Sequence, residues 1–456
     1  MALRRILIAN RGEIALRIVR AARSLGVETV LAASGADRES MAAREADRTV
    51  VLGPAAARDS YLNPRLIVHA AKATRCDGLH PGYGFLSERS SLAALCAEEG
   101  IVFVGPTADS IRAVGDKLSA RRLAKAAGVP MTPGSEKLDT GAQAVAFAES
   151  VGFPVVTKAS AGGGGRGMVV APDAKTLVEA FDRASTEAKE AFGDGTLYVE
   201  RYVERARHVE VQVLGLGDGR VLHFGERDCS LQRRYQKMVE EAPAAAVPEA
   251  TRARLHEAAV NLLSSIRYRN AGTVEFLYDV ERDDFYFMEV NARIQVEHPV
   301  SEMITGVDLI QLQLEVAGGE LPRIEQRDIH PRGHSIEARI IAENPERGFA
   351  PSPGRIRLWR PPQGEGVRLD TAMEDGALVP PFYDSMIAKL IVHAADRLSA
   401  IARLRAALDA FTVEGVATNI ALLRRIAAHP EFIANRLDTR WLESVFLPQY
   451  REPTEA

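Results

Sequence analysis

Carboxylate and amide side chains alternate with apolar ones in "GTVEFLYDVERDDFYFMEVNARIQVEHP", residues 272–299. In an extended chain, alternate side chains share one face. If "TVEFLYD" and "DFYFMEV" pair antiparallel about a turn at residues 281–283, Glu275 lies directly opposite Glu289. An extended chain continuing from Glu289 would also place on that face Asn291, Arg293, Gln295 and Glu297.

Facing carboxylates in an antiparallel pair repel each other, so Glu275 and Glu289 indicate a bound cation. With the amide oxygen of Asn291 they form an all-oxygen set, which suits Mg²⁺ or Mn²⁺ and not zinc. Beside such an ion, Arg293 offers a charge clamp and Glu297 a general base. A strand with one wet face is the structural alternative to this metal site.

Four consecutive glycines, Gly162 to Gly165, lie in "KASAGGGGRGM" between Lys158 and Arg166. The flanking "FPVVTK" and "GMVVA" predict two strands, so the loop belongs to a hairpin and not to the strand–loop–helix of P-loop enzymes. Its backbone N–H groups and flanking cations favour a lid over phosphates. A flexible hairpin tip is the alternative. The lid and the oxygen cluster together indicate an ATP site.

Two further polar features are typical of surface structure when each is taken alone. The basic run "QRRYQK", residues 232–237, has the composition of a solvated loop. Arg339 lies on the polar face of "SIEARII", with Ser335 and Glu337, where a surface arginine is the simpler interpretation.

The elements that must position these residues begin with "RRILIAN", "RGEIALRIVRAARSLG" and "VETVLAAS". This strand–helix–strand order predicts a parallel α/β domain. Its first turn carries one glycine, Gly12, and lacks G-x-G-x-x-G, which argues against NAD or FAD. The alternation ends near "IVFVGP". Strand-rich sequence then follows to about residue 330, and after "RDIHPRGHS" come strands and two helices.

The chain has 456 residues, which is too many for one core and predicts two to four domains. Its net charge of −4 argues against a nucleic-acid-binding or membrane-surface protein. The three cysteines include no C-x-x-C pair and predict no disulfide or zinc framework. No apolar segment has the length of a signal-peptide core or a membrane span, which predicts a cytoplasmic protein.

The chain as a whole resembles biotin carboxylase, a family of ATP-grasp enzymes. The resemblance runs from about residue 4 to 446, in the family's order, through "ANRGEIA", "HPGYGFLSE", "GDK", "KASAGGGGRGM", "RHVEVQVL", "ERDCSLQRRYQK", "EEAP", "EVNARIQVEHPVSEMITGVDLI", "PSPGRI" and "YDSMIAKL". It implies an α/β fold of three domains. These are a Rossmann-like N-terminal domain (1–113), an ATP-grasp domain (114–330) with a mobile glycine-rich lid (about 131–204), and a mixed α+β C-terminal domain (331–447), before a polar tail (448–456).

The resemblance also implies the reaction, which is ATP-dependent carboxylation of carrier-linked biotin by bicarbonate through carboxyphosphate. The implied cofactors are ATP and two Mg²⁺ or Mn²⁺ ions, with biotin as a substrate carried on another chain. A closed lid would protect the easily hydrolysed carboxyphosphate from water. No "A-M-K-M" biotinylation sequence is present, so the implied partners are a biotin carboxyl carrier protein and a carboxyltransferase subunit, with a homodimer as the assembly.

Roles transfer from the family position by position. The implied ATP-binding residues are Lys117, Lys158, Gly164, Gly165, Glu200, Arg201, Tyr202, Val203, His208, Gln232, Tyr235, Glu275, Leu277 and Glu289. The implied metal ligands are Glu275, Glu289 and Asn291, in agreement with the pairing of the two strands. Lys237, Arg293, Gln295 and Val296 are implied to bind bicarbonate. Glu297 is the implied base, and Arg339 is implied to stabilise the biotin enolate.

Two positions depart from the family pattern, and two alternative functions stay open. Tyr235 stands where the family commonly has histidine, and Ala161 where glycine is frequent. Another ATP-grasp carboxylate ligase would share the lid and metal cluster. A regulatory ATP-binding subunit would have lost catalysis, and Tyr235 is the one departure in its favour. The final acyl acceptor is not encoded in this chain.

Overall fold

The computed structural model describes residues 2–159, 168–320 and 323–451. The glycine run, with the predicted lid contacts Gly164 and Gly165, lies outside the described residues, as does the end of the tail. Within the described residues, no helix has both the length and the apolar character needed to cross a membrane.

A five-stranded parallel sheet forms the N-terminal part, with strand order β3-β2-β1-β4-β5. The predicted strand–helix–strand opening is confirmed, and apolar residues of the helix pack on the sheet because they recur at helical spacing. The elements are β1 (Arg5–Ile8), α1 (Gly12–Ser24), β2 (Glu28–Ser34), α2 (Met41–Glu45), β3 (Arg48–Gly53), α3 (Pro64–Ala73), β4 (Gly78–His80), α4 (Ser90–Glu98), β5 (Val102–Phe103) and α5 (Ala108–Gly115).

A small module follows, built on a three-stranded sheet of order β7-β6-β8. The predicted hairpin strands on either side of the glycine run are confirmed as an antiparallel pair. Two helices cover this sheet and share with it a separate apolar core that includes Leu177, Phe181 and Val199. α6 (Lys117–Ala126) leads into this module and packs against α5 and the central sheet. The elements of the module are α7 (Gly141–Val151), β6 (Val155–Ala159), β7 (Val169–Ala171), α8 (Ala174–Phe192) and β8 (Leu197–Arg201).

An eight-stranded antiparallel sheet, of order β13-β12-β9-β10-β11-β14-β21-β19, is the largest element. It runs continuously across the boundary expected at residue 330, because β11 pairs with β14. Its first half comprises β9 (Ala206–Leu216), β10 (Val221–Arg233), β11 (Gln236–Ala242), α9 (Glu249–Ser265), β12 (Arg269–Asp279), β13 (Asp284–Asn291), α10 (His298–Thr305) and α11 (Leu309–Ala317).

The C-terminal segment completes that sheet and packs helices against it, with a core around Trp359, Leu404 and Phe432. Its elements are β14 (His334–Ile341), β15 (Glu343–Asn344), β16 (Ala350–Pro351), β17 (Gly354–Arg355), β18 (Leu358–Arg360), β19 (Val367–Thr371), β20 (Leu378–Val379), β21 (Met386–Ala394), α12 (Arg397–Ala410), β22 (Thr412–Glu414), α13 (Ile420–Ala428), α14 (Pro430–Ile433) and α15 (Leu447–Arg451).

Candidate active site

A cleft of about 680 Å³ opens between the small module, the central sheet and the C-terminal segment. It collects every predicted site residue that the structure describes. These are Lys117, Lys158, Glu200, Arg201, Tyr202, Val203, His208, Gln232, Tyr235, Lys237, Glu275, Leu277, Glu289, Asn291, Arg293, Gln295, Val296, Glu297 and Arg339.

The two carboxylates expected to face each other do so on β12 and β13. Glu275 pairs directly with Glu289, and Thr273 with Asn291, in the predicted register. Towards the hairpin tip the register shifts by one, since Phe276 pairs with Phe287. A β-bulge inserts one extra residue into one strand and accounts for this shift.

The prediction of an extended chain beyond Asn291 was wrong, because β13 ends at that residue and α10 begins at His298. The side chains between Asn291 and His298 are held in the site by hydrogen bonds, and not by alternation along a strand. Arg293 donates to Gln295 Oε1 at 2.5 Å and to Asn291 Oδ1 at 2.9 Å. Gln295 Nε2 in turn donates to Glu275 Oε1 at 3.0 Å.

Lys237 lies at the centre of the buried acidic side chains. Its Nζ is 2.6 Å from Glu210, 3.0 Å from Glu275 and 2.7 Å from Glu297. Burial would lower the pKa of Lys237, but Cys229 and these carboxylates outweigh burial and hold that pKa well above its usual value. The ammonium is therefore charged at neutral pH and neutralises part of the acidic cluster.

Glu297 and Arg339 form an ion pair at 3.0 Å, and Arg339 also contacts Glu240 at 2.5 Å. Burial would raise the pKa of Glu297, but Lys237, Arg339 and Arg227 outweigh burial and hold that pKa well below its usual range. Glu297 is thus ionised and able to accept a proton. The interpretation of Arg339 as a surface arginine was wrong, because its side chain is only 17% exposed.

Two of the predicted ATP-binding lysines, Lys117 and Lys158, lie at the other end of the cleft, on the small module and its entrance. Lys158 Nζ contacts Glu200 Oε2 at 2.6 Å, and Arg121 binds the other oxygen of Glu200. The carboxylate of Glu200 is therefore neutralised by two cations. Burial lowers the pKa of Lys117, which begins α6.

The basic run "QRRYQK" forms the β10–β11 hairpin, and not a solvated loop alone. Arg234 and Tyr235 make the turn, both with positive φ. Gln232 and Lys237 flank the turn and line the cleft, whereas Tyr235 is 59% exposed at its rim. Tyr202 lines the same end of the cleft, with the guanidinium of Arg440 5.9 Å from its ring centre.

The donor set at Glu275, Glu289 and Asn291 fits a hard divalent cation. Two carboxylates on paired strands and one amide face the cleft together, and oxygen donors are those that Mg²⁺ and Mn²⁺ prefer. Asn291 Nδ2 is buried and has no hydrogen-bond partner within the part of the chain that the structure describes. Asn291 Oδ1, held by Arg293, can use its second lone pair for an ion.

Three acidic residues of the site were missed from the sequence. Glu210 contacts Lys237, and Glu240 contacts Arg339. Glu88 accepts a hydrogen bond from Arg293 Nε at 2.9 Å. The alternation in "RHVEVQVL" and the pair in "EEAP" were the available signals, since both put carboxylates on strands rich in apolar residues. Glu88 ends the quoted stretch "HPGYGFLSE", but nothing in its local sequence links it to Arg293, 205 residues away.

Three family models match the chain in order. They are the biotin carboxylase N-terminal domain at residues 2–111, the ATP-binding domain of the carbamoyl-phosphate synthase L chain at 116–324, and the biotin carboxylase C-terminal domain at 337–444. Biotin carboxylase 1 of Bacillus subtilis is 47% identical over 443 residues, which is 97% of this chain and 98% of that protein. The chain belongs to the biotin carboxylase family.

Family members with other names are nearly as similar. One subunit of the pyruvate carboxylase of Methanothermobacter thermautotrophicus is 45% identical, over 99% of this chain and 91% of that protein. The biotin carboxylase domain dimer of the Hydrogenobacter thermophilus 2-oxoglutarate carboxylase was solved with MgADP, ADP and bicarbonate. It matches with a TM-score of 0.93, 43% identity and full coverage of both chains. The resemblance drawn from the residues, and the fold class that it implied, are confirmed.

Proposed function

We propose that the chain is an ATP-dependent ligase that carboxylates carrier-linked biotin with bicarbonate through carboxyphosphate. The observation that supports this proposal most strongly is that one cleft contains Lys237, Glu297 and Arg339 together with the facing pair Glu275 and Glu289. A general base, two cations and an oxygen-rich cation site are the groups that phosphorylation of bicarbonate needs.

The phosphate end of the cleft supplies positive charge. Lys117 and Lys158 would hold the phosphates, and the glycine run would close over them as a lid. When bound, Mg²⁺ at Glu275, Glu289 and Asn291 would neutralise charge that develops on the phosphates. Lys158 must leave Glu200 for this role, and Arg121 remains to neutralise that carboxylate.

The bicarbonate end supplies the base. Arg293, Gln295 and the backbone at Val296 would orient the anion, and Lys237 would attract it. Glu297 would accept its proton as a bicarbonate oxygen attacks the γ-phosphorus and the bond from that phosphorus to ADP breaks, which gives carboxyphosphate and ADP. Lys389 Nζ donates to the Val296 carbonyl at 2.9 Å and so fixes the loop that carries the base.

Arg339 would then act on biotin. Its guanidinium faces the cleft between Glu240 and Glu297. A fixed cation beside the ureido oxygen of biotin would stabilise the charge that forms there when the ring nitrogen gives its proton to the phosphate released from carboxyphosphate, and that nitrogen would then take up the carboxyl group as CO₂.

The partners that we propose are a biotin carboxyl carrier protein on another chain and a carboxyltransferase subunit, with a homodimer as the assembly. One relative named as part of a larger carboxylase and a solved domain dimer support this assignment. The acyl acceptor stays open, because relatives named for different carboxylases are similarly identical to this chain.

Release of ADP by the purified chain, with Mg²⁺, ATP and free biotin, tests the function. We expect hydrolysis that depends on bicarbonate and rises with biotin, and we expect Glu297→Gln and Arg293→Ala to abolish the stimulation. The matched controls are Glu39→Gln and Arg58→Ala, whose side chains are 82% and 85% exposed.

Hydrolysis driven by another carboxylate in place of bicarbonate would favour a different ATP-grasp ligase. Nucleotide binding without bicarbonate-dependent turnover would favour the regulatory subunit. Either result would overturn the proposal.

A further inference from the structure

A second pair of facing acidic side chains lies in the central sheet, next to Arg339. Glu240 on β11 and Glu337 on β14 are direct partners in the antiparallel register. Both are fully buried, with 0% exposure. Directly opposed side chains lie about 5 Å apart at Cβ, and like charges at that distance destabilise a sheet. Two ionised carboxylates would therefore be unfavourable here.

The hydrogen bonds of the pair are incomplete for two ionised groups. Glu240 Oε1 accepts from Arg339 Nε at 2.6 Å. Within residues 2–159, 168–320 and 323–451, Glu240 Oε2 and both carboxylate oxygens of Glu337 have no hydrogen-bond partner. A buried carboxylate without donors is costly, whereas a carboxylic acid carries its own donor and no charge.

The cations around the pair are already shared with other carboxylates. Arg339 is divided between Glu240 and Glu297. Lys389, which pairs with Arg339 across β14 and β21, donates to a backbone carbonyl and lies 3.2 Å from Glu13 Oε2. Arg339 is thus the one cation hydrogen-bonded to the pair among the described residues, and it reaches Glu240 alone.

The surrounding elements bring further charged and titratable groups towards Glu240 and Glu337. The groups that shift the pKa values of the pair, or whose own pKa the pair shifts, are Lys389, Arg339, Glu297, Lys237 and Tyr83. Burial, only partly offset by nearby cations, raises the pKa of Glu240 to about 7 and raises the pKa of Glu337 well above its usual range.

We propose that Glu240 and Glu337 hold one proton between them at neutral pH and that the singly charged pair positions Arg339 against Glu297. One side of the Arg339 guanidinium then binds the singly charged pair, and the other side stays in its ion pair with Glu297. With a second charge on the pair, the guanidinium would be drawn away from Glu297. The consequence for turnover rests on the proposed function.

Infrared difference spectra of the substrate-free chain at neutral pH test the shared proton without any activity. We expect the spectrum of the wild type minus that of Glu240→Gln/Glu337→Gln to show the loss of one carboxylic acid band and one carboxylate band. The loss of two carboxylate bands, or of two acid bands, would overturn the proposal. Glu39→Gln, an exposed control, should lose a carboxylate band only.

A double variant that fails to fold is replaced by Glu337→Gln, which keeps the shape of the protonated acid. Its difference spectrum should then show the loss of an acid band. Loss of a carboxylate band both in Glu337→Gln and in Glu240→Gln, with no loss of an acid band in either, would mean that neither residue holds a proton, and the proposal would fail.

The pH profile of biotin carboxylation tests the positioning role. The wild type should lose activity at alkaline pH as the pair gives up its proton, and Glu337→Gln, which has no such proton, should keep neutral activity and lose that alkaline decline. Glu337→Ala, which loses the shape of the acid, should not keep neutral activity as Glu337→Gln does. Glu240→Gln should raise KM for free biotin. Identical profiles in the wild type and Glu337→Gln would refute the role. A chain without bicarbonate-dependent ATP hydrolysis would refute the proposed function instead, and would leave the infrared result standing.

Discussion

Lys237 joins three carboxylates that come from different parts of the chain. Glu210 lies on β9, Glu275 on β12, and Glu297 immediately before α10. Each contact is 3.0 Å or shorter. One ammonium thus fixes the relative positions of the β12–β13 hairpin and Glu297. At this scale the charge of a single side chain sets both the geometry and the protonation of its neighbours.

Lys237→Met tests this arrangement, since methionine keeps the length of the side chain and removes the charge. Removing one partner of a buried ion pair typically costs about 3–5 kcal/mol, and we expect a loss of that order together with loss of bicarbonate-dependent hydrolysis. Urea denaturation at neutral pH measures the first effect, and ADP release the second.

The loss of stability should shrink in acid, because protonated carboxyls need no counter-charge. Lys175→Met, an exposed lysine on α8, is the control and should change neither measurement. Full stability in Lys237→Met would show that the three carboxylates are not held by the ammonium.

Strands and turns could be predicted from the sequence where residues close together in the chain determine them. The β12–β13 hairpin has a short connection, and the alternation of its side chains predicts that Glu275 faces Glu289. The tip of the hairpin pairs in a register one residue away, so the observed Glu275–Glu289 pairing depends on the bulge as well. The bulge beyond it and the end of β13 were not predictable. Ala292 N donates to Glu88 Oε1 at 3.1 Å instead of to a neighbouring strand, across 204 residues of sequence. A strand end decided by such a contact leaves no local pattern.

Contacts between segments that are distant in sequence also explain why Arg339 and the "QRRYQK" run were taken for surface structure. The strand of Arg339 was predicted, but its neighbours were not, because β14 lies between strands from two distant segments. Only that pairing brings Glu240 and Glu297 to the guanidinium. Family resemblance placed Arg339 and Glu297 in the site, whereas Glu240 was missed.

The small module around β6, β7 and β8 has a core of its own, so its stability should be separable from that of the central sheet. Phe181 is 2% exposed within that core, and Phe181→Ala should destabilise the module by about 3–5 kcal/mol. Amide hydrogen exchange should accelerate in β6 and β8 and stay slow in β9 and β12.

Val178→Ala, at a half-exposed position on the same helix, is the matched control and should leave exchange unchanged. Equal acceleration in β9 and β12 would contradict an independent module. A module that opens alone is what a lid over a nucleotide requires.

The molecule as a whole is held together by one sheet that crosses from the ATP-binding segment into the C-terminal segment. The crossing is the β11–β14 pair, where Glu241 lies opposite Ile336. Glu241 is buried and binds His334 at 2.9 Å and Arg397 at 2.6 Å. Arg397 begins α12, so this carboxylate joins both segments to the helix that packs on the sheet.

The pH dependence of stability follows from this junction. Burial would raise the pKa of Glu241, but hydrogen bonds from His334 and Arg397 outweigh burial and lower that pKa to about 2. The unfolded chain has a glutamate pKa of about 4.3. A lowered folded-state pKa stabilises the protein above the unfolded value, so this contribution is complete above about pH 4.3 and is lost as the pH falls towards about 2.

Glu241→Gln should therefore be less stable than the wild type by about 3 kcal/mol at pH 7, the free-energy equivalent of the lowered pKa. Because only the wild type loses this contribution in acid, the stability gap between the wild type and Glu241→Gln should narrow as the pH falls from about 4.3 to about 3. Urea midpoints measured at pH 7, 5, 4 and 3 test this, with Glu39→Gln as the exposed control. A gap that stayed constant, or widened in acid, would mean that Glu241 is not the carboxylate that ties the two segments together.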